Sequence, residues 1–189
     1  MYSRWLNIPA NDFSSFARPI VTMLPIGSKA PDFKLRLDNG EIFRLRDLYN
    51  KSNIVISFFP NDLAKHDSRG AYIFLQHLQK AQTLGAVVIT ISPKNMDELR
   101  KLLKLYGFSI PIADDPTLEV CRNYRALWLR GLGLRKITYV IDMHGIIRGC
   151  LSHQLFTEKP WEQVMRLIKT LDAEQNSKPL PDTTPIASS

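Results

Sequence analysis

Two thiols, four imidazoles and one carboxylate at a predicted helix start are the groups of this 189-residue chain whose positions bear on chemistry. The thiols are Cys121 and Cys150. A thiolate attacks electrophiles or binds soft metals, and it forms where a helix N-terminus or a cation lowers its pKa. Neither cysteine lies in a Cys-x-x-Cys pair or at a helix N-terminus, so buried, inert thiols are the default reading. Arg122 is the nearest cation in sequence to Cys121. The imidazoles are His66, His77, His144 and His153. His66 stands beside Asp67, yet no third ligand or nucleophile accompanies them, and no metal site is expected. Gly131-Leu132-Gly133 follows no strand and is no nucleotide fingerprint. No cofactor is called for.

Asp67 and Ser68 are good helix N-caps. A carboxylate there accepts backbone N–H bonds and gains from the helix dipole by about 1 kcal/mol. A further segment mixes apolar and basic residues: Leu127, Trp128, Leu129, Arg130, Leu132 and Leu134, with Arg125, Arg135 and Lys136 around them. Exposed, it would suit a partner protein or self-association. Folded back, it would be core.

The elements that must position these groups follow from periodicity. Phe33, Leu35 and Leu37 alternate with polar residues as a half-buried strand, and Asp38-Asn39-Gly40 turns it into a hairpin. Asn53 to Phe59 is a continuous apolar run, the pattern of a strand buried on both faces. Ala71, Phe74, Leu75, Leu78 and Ala81 repeat at helical spacing up to Gly85. Ala86 to Ile91 is the next buried strand. Asn95 to Tyr106 is an amphipathic helix closed by Gly107. Ile110 to Ala113 reads as an edge strand because it contains Pro111. Leu118 to Tyr124 is a short helix. Ile137 to Asp142 and Ile146 to Cys150 form a closing hairpin, and Trp161 to Leu171 a last helix. The alternation predicts an α/β thioredoxin-like fold, a central mixed sheet with helices on both faces. Residues 1–26 read as an arm, 27–171 as the domain, and 172–189, rich in Lys, Pro, Ser and Thr, as a disordered tail.

The formal net charge is +7, with 44% hydrophobic residues. No apolar run reaches the ~18 residues of a membrane span. Basic balance favours acidic partners, but no nucleic-acid motif accompanies it, and nucleic acid is not expected. Two cysteines suit a reducing compartment, and a cytoplasmic setting is the simplest, with organellar targeting as the alternative because Ser14, Ser15 and Arg18 are compatible with a transit peptide.

In order along the chain, Gly27-Ser28-Lys29-Ala30-Pro31-Asp32-Phe33, Leu45-Arg46-Asp47-Leu48, Phe58-Phe59-Pro60-Asn61-Asp62, Ile89-Thr90-Ile91-Ser92, Ile112-Ala113-Asp114 and Ile137 to Ile147 resemble the peroxiredoxin superfamily, closest to its bacterioferritin-comigratory, or Q-type, branch. The resemblance implies a peroxidatic cysteine at the start of the helix after Pro60, its pKa lowered by helix-start amides and an Arg guanidinium, with a Thr hydroxyl to orient the peroxide. Here Pro60 stands, Ala64 holds the Thr position, Asp67 the cysteine position and Lys136 the Arg position. Lys136 is a point charge and makes no bidentate fork. Arg135 beside it should face the other way along a strand. The resolving-cysteine position is Tyr72. The expectation is therefore a peroxiredoxin-like protein without its peroxidatic thiol, a non-catalytic binding or regulatory module. The alternatives are a thiol-dependent antioxidant oxidoreductase working through Cys121 or Cys150, and a structural subunit docked through residues 125–136.

Overall fold

The structure, a computed structural model, describes residues 23–60, 68–93, 96–128, 133–152 and 158–176. Its spine is β3 (Ile54–Phe58), whose five residues are all buried. Flanking strands and the layers above and below hide both faces, which is why the sequence shows an unbroken apolar run rather than an alternation. On one side β3 pairs in parallel with β4 (Val87–Ser92), and β4 with the short β5 (Ile112–Asp114). On the other side β8 (Ile137–Ile141) pairs antiparallel with β3, and β9 (Ile147–Ser152) antiparallel with β8. The sheet order is therefore β5-β4-β3-β8-β9.

Successive side chains of a strand point to opposite faces, and the core divides accordingly. Val55 and Phe59 join Val88 and Val140 on the first face. Three helices cover that face. α1 (Ser68–Thr83) buries Phe74, Leu75 and Leu78, α2 (Asp97–Tyr106) buries Leu99 and Leu103, and α4 (Glu158–Asn176) buries Trp161, Met165 and Ile168. Ile54, Ile56, Phe58, Tyr139 and Ile141 face the other way, against Leu45, Ala30 and the short α3 (Glu119–Asn123) with its Val120 and Cys121. The hairpin of β1 (Lys34–Arg36) and β2 (Ile42–Arg44) turns at Gly40, where φ is +88°, a value that favours glycine. An isolated bridge between Leu37 and Ala113 ties the hairpin to the outer edge of β5.

Two elements depart from the sequence reading. α4 starts at Glu158 and runs to Asn176, beyond the Trp161–Leu171 span. Apolar periodicity stops at Leu171, but Asp172, Ala173, Glu174 and Gln175 do not break a helix, so the pattern ends before the helix does. Gln175 also donates to the Lys51 carbonyl at 3.1 Å, anchoring the last turn. Residues 172–176 are therefore helix and not part of the predicted tail, and residues 177–189 lie outside the described residues. The predicted loop over 125–136 holds a small antiparallel ribbon, β6 (Leu127–Trp128) with β7 (Gly133–Leu134). Two-residue strands are too short to show a period.

Candidate functional site

The C-terminal end of β3 is where the sequence places the chemistry. The Phe59 amide donates to the Ile91 carbonyl at 3.0 Å, which carries the β3–β4 ladder one residue past the strand. Pro60 follows, half-buried. From the other side Ile137 pairs with Phe58, so the half-buried Lys136 precedes β8 beside the Phe59–Pro60 step. The position inferred for Lys136 and that of Pro60 thus share one end of the sheet. α1 begins at Ser68, directly after Asp67 in sequence. Ala64, His66 and Asp67 lie outside the described residues, as do Leu129, Arg130, Leu132 and His153.

Beneath this end lies a row of hydroxyls that sequence reading missed. Ser57 pairs in register with Thr138 on one neighbour and Thr90 on the other. The Ser57 and Thr138 hydroxyls hydrogen-bond at 2.9 Å. Thr90 and Ser92 are fully buried, and their hydroxyls have no hydrogen-bond partner among the described residues. Their signal in the sequence was isolated polar residues within otherwise apolar strands.

Tyr72, at the resolving position, sits half-buried one turn into α1. Its ring centroid lies 4.6 Å from that of Tyr106 and 5.7 Å from that of Phe108. These aromatic contacts join α1 to α2 and its exit. Tyr72 works as packing there, with no thiol chemistry to offer. Leu127 and Leu134 are register partners, and both pack half-buried on the second core.

Both thiols are far from nucleophilic character. Cys121 is fully buried. Burial pushes its pKa well above the thiol range, and the Asp115 carboxylate adds to that both by its charge and by a hydrogen bond. Asp115, itself fully buried, also accepts from the Cys121 amide at 2.7 Å. Arg122, the cation suggested for Cys121 by sequence, is exposed and takes no part in that shift. Helix periodicity turns it outward as Cys121 turns in.

Cys150 is half-buried on β9 opposite Tyr139. Burial pushes its thiol up to about 11, although the Tyr139 hydroxyl and the Arg135 charge pull the other way. Arg135 thus acts toward Cys150, as its alternation from Lys136 anticipates. The Cys150 thiol donates to the Met23 thioether at 3.1 Å. The Tyr139 hydroxyl donates to the Tyr124 carbonyl at 2.9 Å and accepts from the Leu24 amide at 3.2 Å. Tyr124 in turn donates to the Pro31 carbonyl at 2.8 Å. Sequence reading found none of these partners, because Met23 and Leu24 sit in a stretch without periodicity. Among the described residues no group of three His, Cys, Asp or Glu side chains is placed to hold a metal ion.

The parallel β3–β4–β5 half, the antiparallel β8–β9 half and a helix starting shortly after Pro60 define a thioredoxin-like α/β protein of peroxiredoxin type. The AhpC/TSA family model matches residues 26–150, and the chain belongs to that family. The putative peroxiredoxin bcp of Helicobacter pylori is 27% identical over 133 residues, covering 67% of this chain and 87% of its own length. Peroxiredoxin Bcp of Bacillus subtilis is 28% identical over 128 residues, covering 65% of this chain and 81% of its own. Among solved structures, a cysteine-to-serine mutant of Xylella fastidiosa PrxQ superposes with a TM-score of 0.64 at 18% identity, over 79% of this chain and 98% of its own. Peroxidoxin BcpB of Mycobacterium tuberculosis gives 0.62 at 20% identity, over 78% and 96%. The bacterioferritin-comigratory branch named from the motifs is the branch to which these relatives' names belong.

Proposed function

We propose that this chain is a peroxiredoxin-fold protein that does not turn over peroxide and acts as a non-catalytic binding or regulatory module. The observation that carries the reading is the state of its two thiols. Peroxide reduction by a thiol requires a thiolate to attack one peroxide oxygen, forming a sulfenic acid and releasing an alcohol or water. Cys121 is sealed in the core against a carboxylate, and Cys150 keeps its proton to about pH 11. At neutral pH both are thiols, and the thiol is a poor nucleophile. Asp67 stands where the resemblance puts the reactive sulfur. An aspartate has no sulfur to offer a peroxide, whereas it is a residue type that suits a helix N-terminus. A protein partner or a second copy, bound through the 125–136 segment in a cytoplasmic setting, is the companion to this reading.

The relatives' name, peroxiredoxin, favours the competing one, thiol-dependent peroxide reduction through Cys121 or Cys150. A coupled assay with thioredoxin, thioredoxin reductase and NADPH separates them. The expected result is no NADPH oxidation above the protein-free control with hydrogen peroxide or an alkyl hydroperoxide. Asp67→Cys alone stays inactive, since Ala64 brings no hydroxyl and Lys136 no bidentate fork. Turnover by the unaltered chain that disappears in Cys150→Ser or Cys121→Ser overturns the proposal.

A further inference from the structure

Side chains of α1 and α4 together line a cleft of about 300 Å³. That is at the small end of the range of ligand sites in proteins. Its floor is Trp161 and Met165, both nearly fully buried, with the His77 ring stacked on Trp161 at a centroid separation of 4.9 Å and an interplanar angle of 16°. Its rim is basic: Lys80 from α1, Arg166 and Lys169 from α4. One carboxylate, Glu162, lies on the rim, and the Arg166 guanidinium reaches it at 3.8 Å across an exposed helix turn. Lys80 and Lys169 make no ion pair within 4.0 Å among the described residues. Leaving His77 aside, the rim carries three positive charges against one negative, from lining residues alone.

We propose that this cleft binds a small organic phosphate monoester. A dianionic phosphate matches the rim's excess of two charges, and Lys80 and Lys169 approach it from the two helices. The apolar floor takes the organic body. A larger cleft, of about 450 Å³, lies between the β1–β2 turn and α2, but its Arg100 is already engaged by Asp97 at 3.1 Å and by Asp38 and Asp114 at 3.8 Å. Its other cation, Lys104, makes no ion pair among the described residues but shares the cleft with Asp38, whereas the α1–α4 cleft offers two such cations, Lys80 and Lys169. The lining of the α1–α4 cleft includes neither cysteine nor Pro60 or Lys136, so the proposal stands whether or not the thiols turn over.

The test titrates the full chain with phenyl phosphate at low salt, read by two-dimensional NMR and by calorimetry. Saturable binding is expected with Kd below about 1 mM. The shifts should centre on the indole of Trp161 and the ring of His77. Lys80→Gln with Lys169→Gln should weaken binding at least about tenfold while the thermal melt is unchanged, because both side chains are exposed. Inorganic phosphate should bind more weakly, since it leaves the floor uncovered. No saturation, equal binding by the double variant, equal binding of inorganic phosphate, or shifts centred elsewhere would each overturn the proposal.

Discussion

Thr90 and Ser92 carry hydroxyls that are fully buried and unpartnered among the described residues. Desolvating a hydroxyl without replacing its hydrogen bond costs about 1–3 kcal/mol. Thr90→Val keeps the shape and removes the group that is desolvated without return. It should stabilise the fold by about 1 kcal/mol in urea unfolding. Ser57→Ala should do the opposite, because it strips Thr138 of its 2.9 Å partner. A destabilised Thr90→Val would mean that the hydroxyl is satisfied in solution. At this scale the sequence speaks through residue identity: motif position names Pro60, Tyr72 and Lys136, and the structure puts Pro60 and Lys136 at one end of the sheet. Motif position does not name Asp115, Tyr139 and Met23, since their roles rest on distances across the sheet that no spacing encodes.

The β8–β9 hairpin shows how an element can depend on a single glycine. Gly145 has φ of +77°, and a Cβ there would lie 2.6 Å from Cζ of Tyr49. Two penalties coincide, backbone strain and a ring that must move. Gly145→Ala should cost about 2–3 kcal/mol in equilibrium unfolding. Combining it with Tyr49→Leu should recover the part due to the clash and leave the part due to φ. A single variant as stable as the parent would show that the turn relaxes freely. Asp142 pins the same turn, accepting the His144 and Ile146 amides at 2.9 Å each and the Arg148 guanidinium at 3.3 Å. The hairpin was readable from two apolar runs around Met143-His144-Gly145. The end of α4 was not, because helix propensity outlasts hydrophobic periodicity there. The β6–β7 ribbon left no pattern at all.

For the whole molecule, the raised thiol and phenol pKa values set a pH limit. The ordinary thiol value is 9.0, and burial raises Cys150 to about 11. Cys121, Tyr124 and Tyr139 are raised too, each chiefly by burial. A folded state that holds its protons longer than the unfolded one loses stability as the unfolded chain begins to release them. The contribution of Cys150 is complete below pH 9 and is lost as pH climbs from 9.0 to about 11. Urea midpoints should therefore be level from about pH 7 to 8.5 and fall steeply above. Cys150→Ser should soften the fall without abolishing it, because the buried phenols and Cys121 remain. A flat profile to about pH 11 would show that these groups are not shielded in solution.

Residues 23–30 run along the β8–β9 hairpin. Beyond the Met23 and Leu24 contacts, the Gly27 amide donates to Ile147, the Ile147 amide to Ser28 and the Ala30 amide to Gly145, at 2.7 to 2.9 Å. The start of the described chain and its last two strands are thereby stitched together, though more than a hundred positions separate Leu24 from Tyr139 in sequence. A chain growing from its N-terminus makes residues 23–30 long before β8 and β9 exist, so this seam closes only once the last strands have been made.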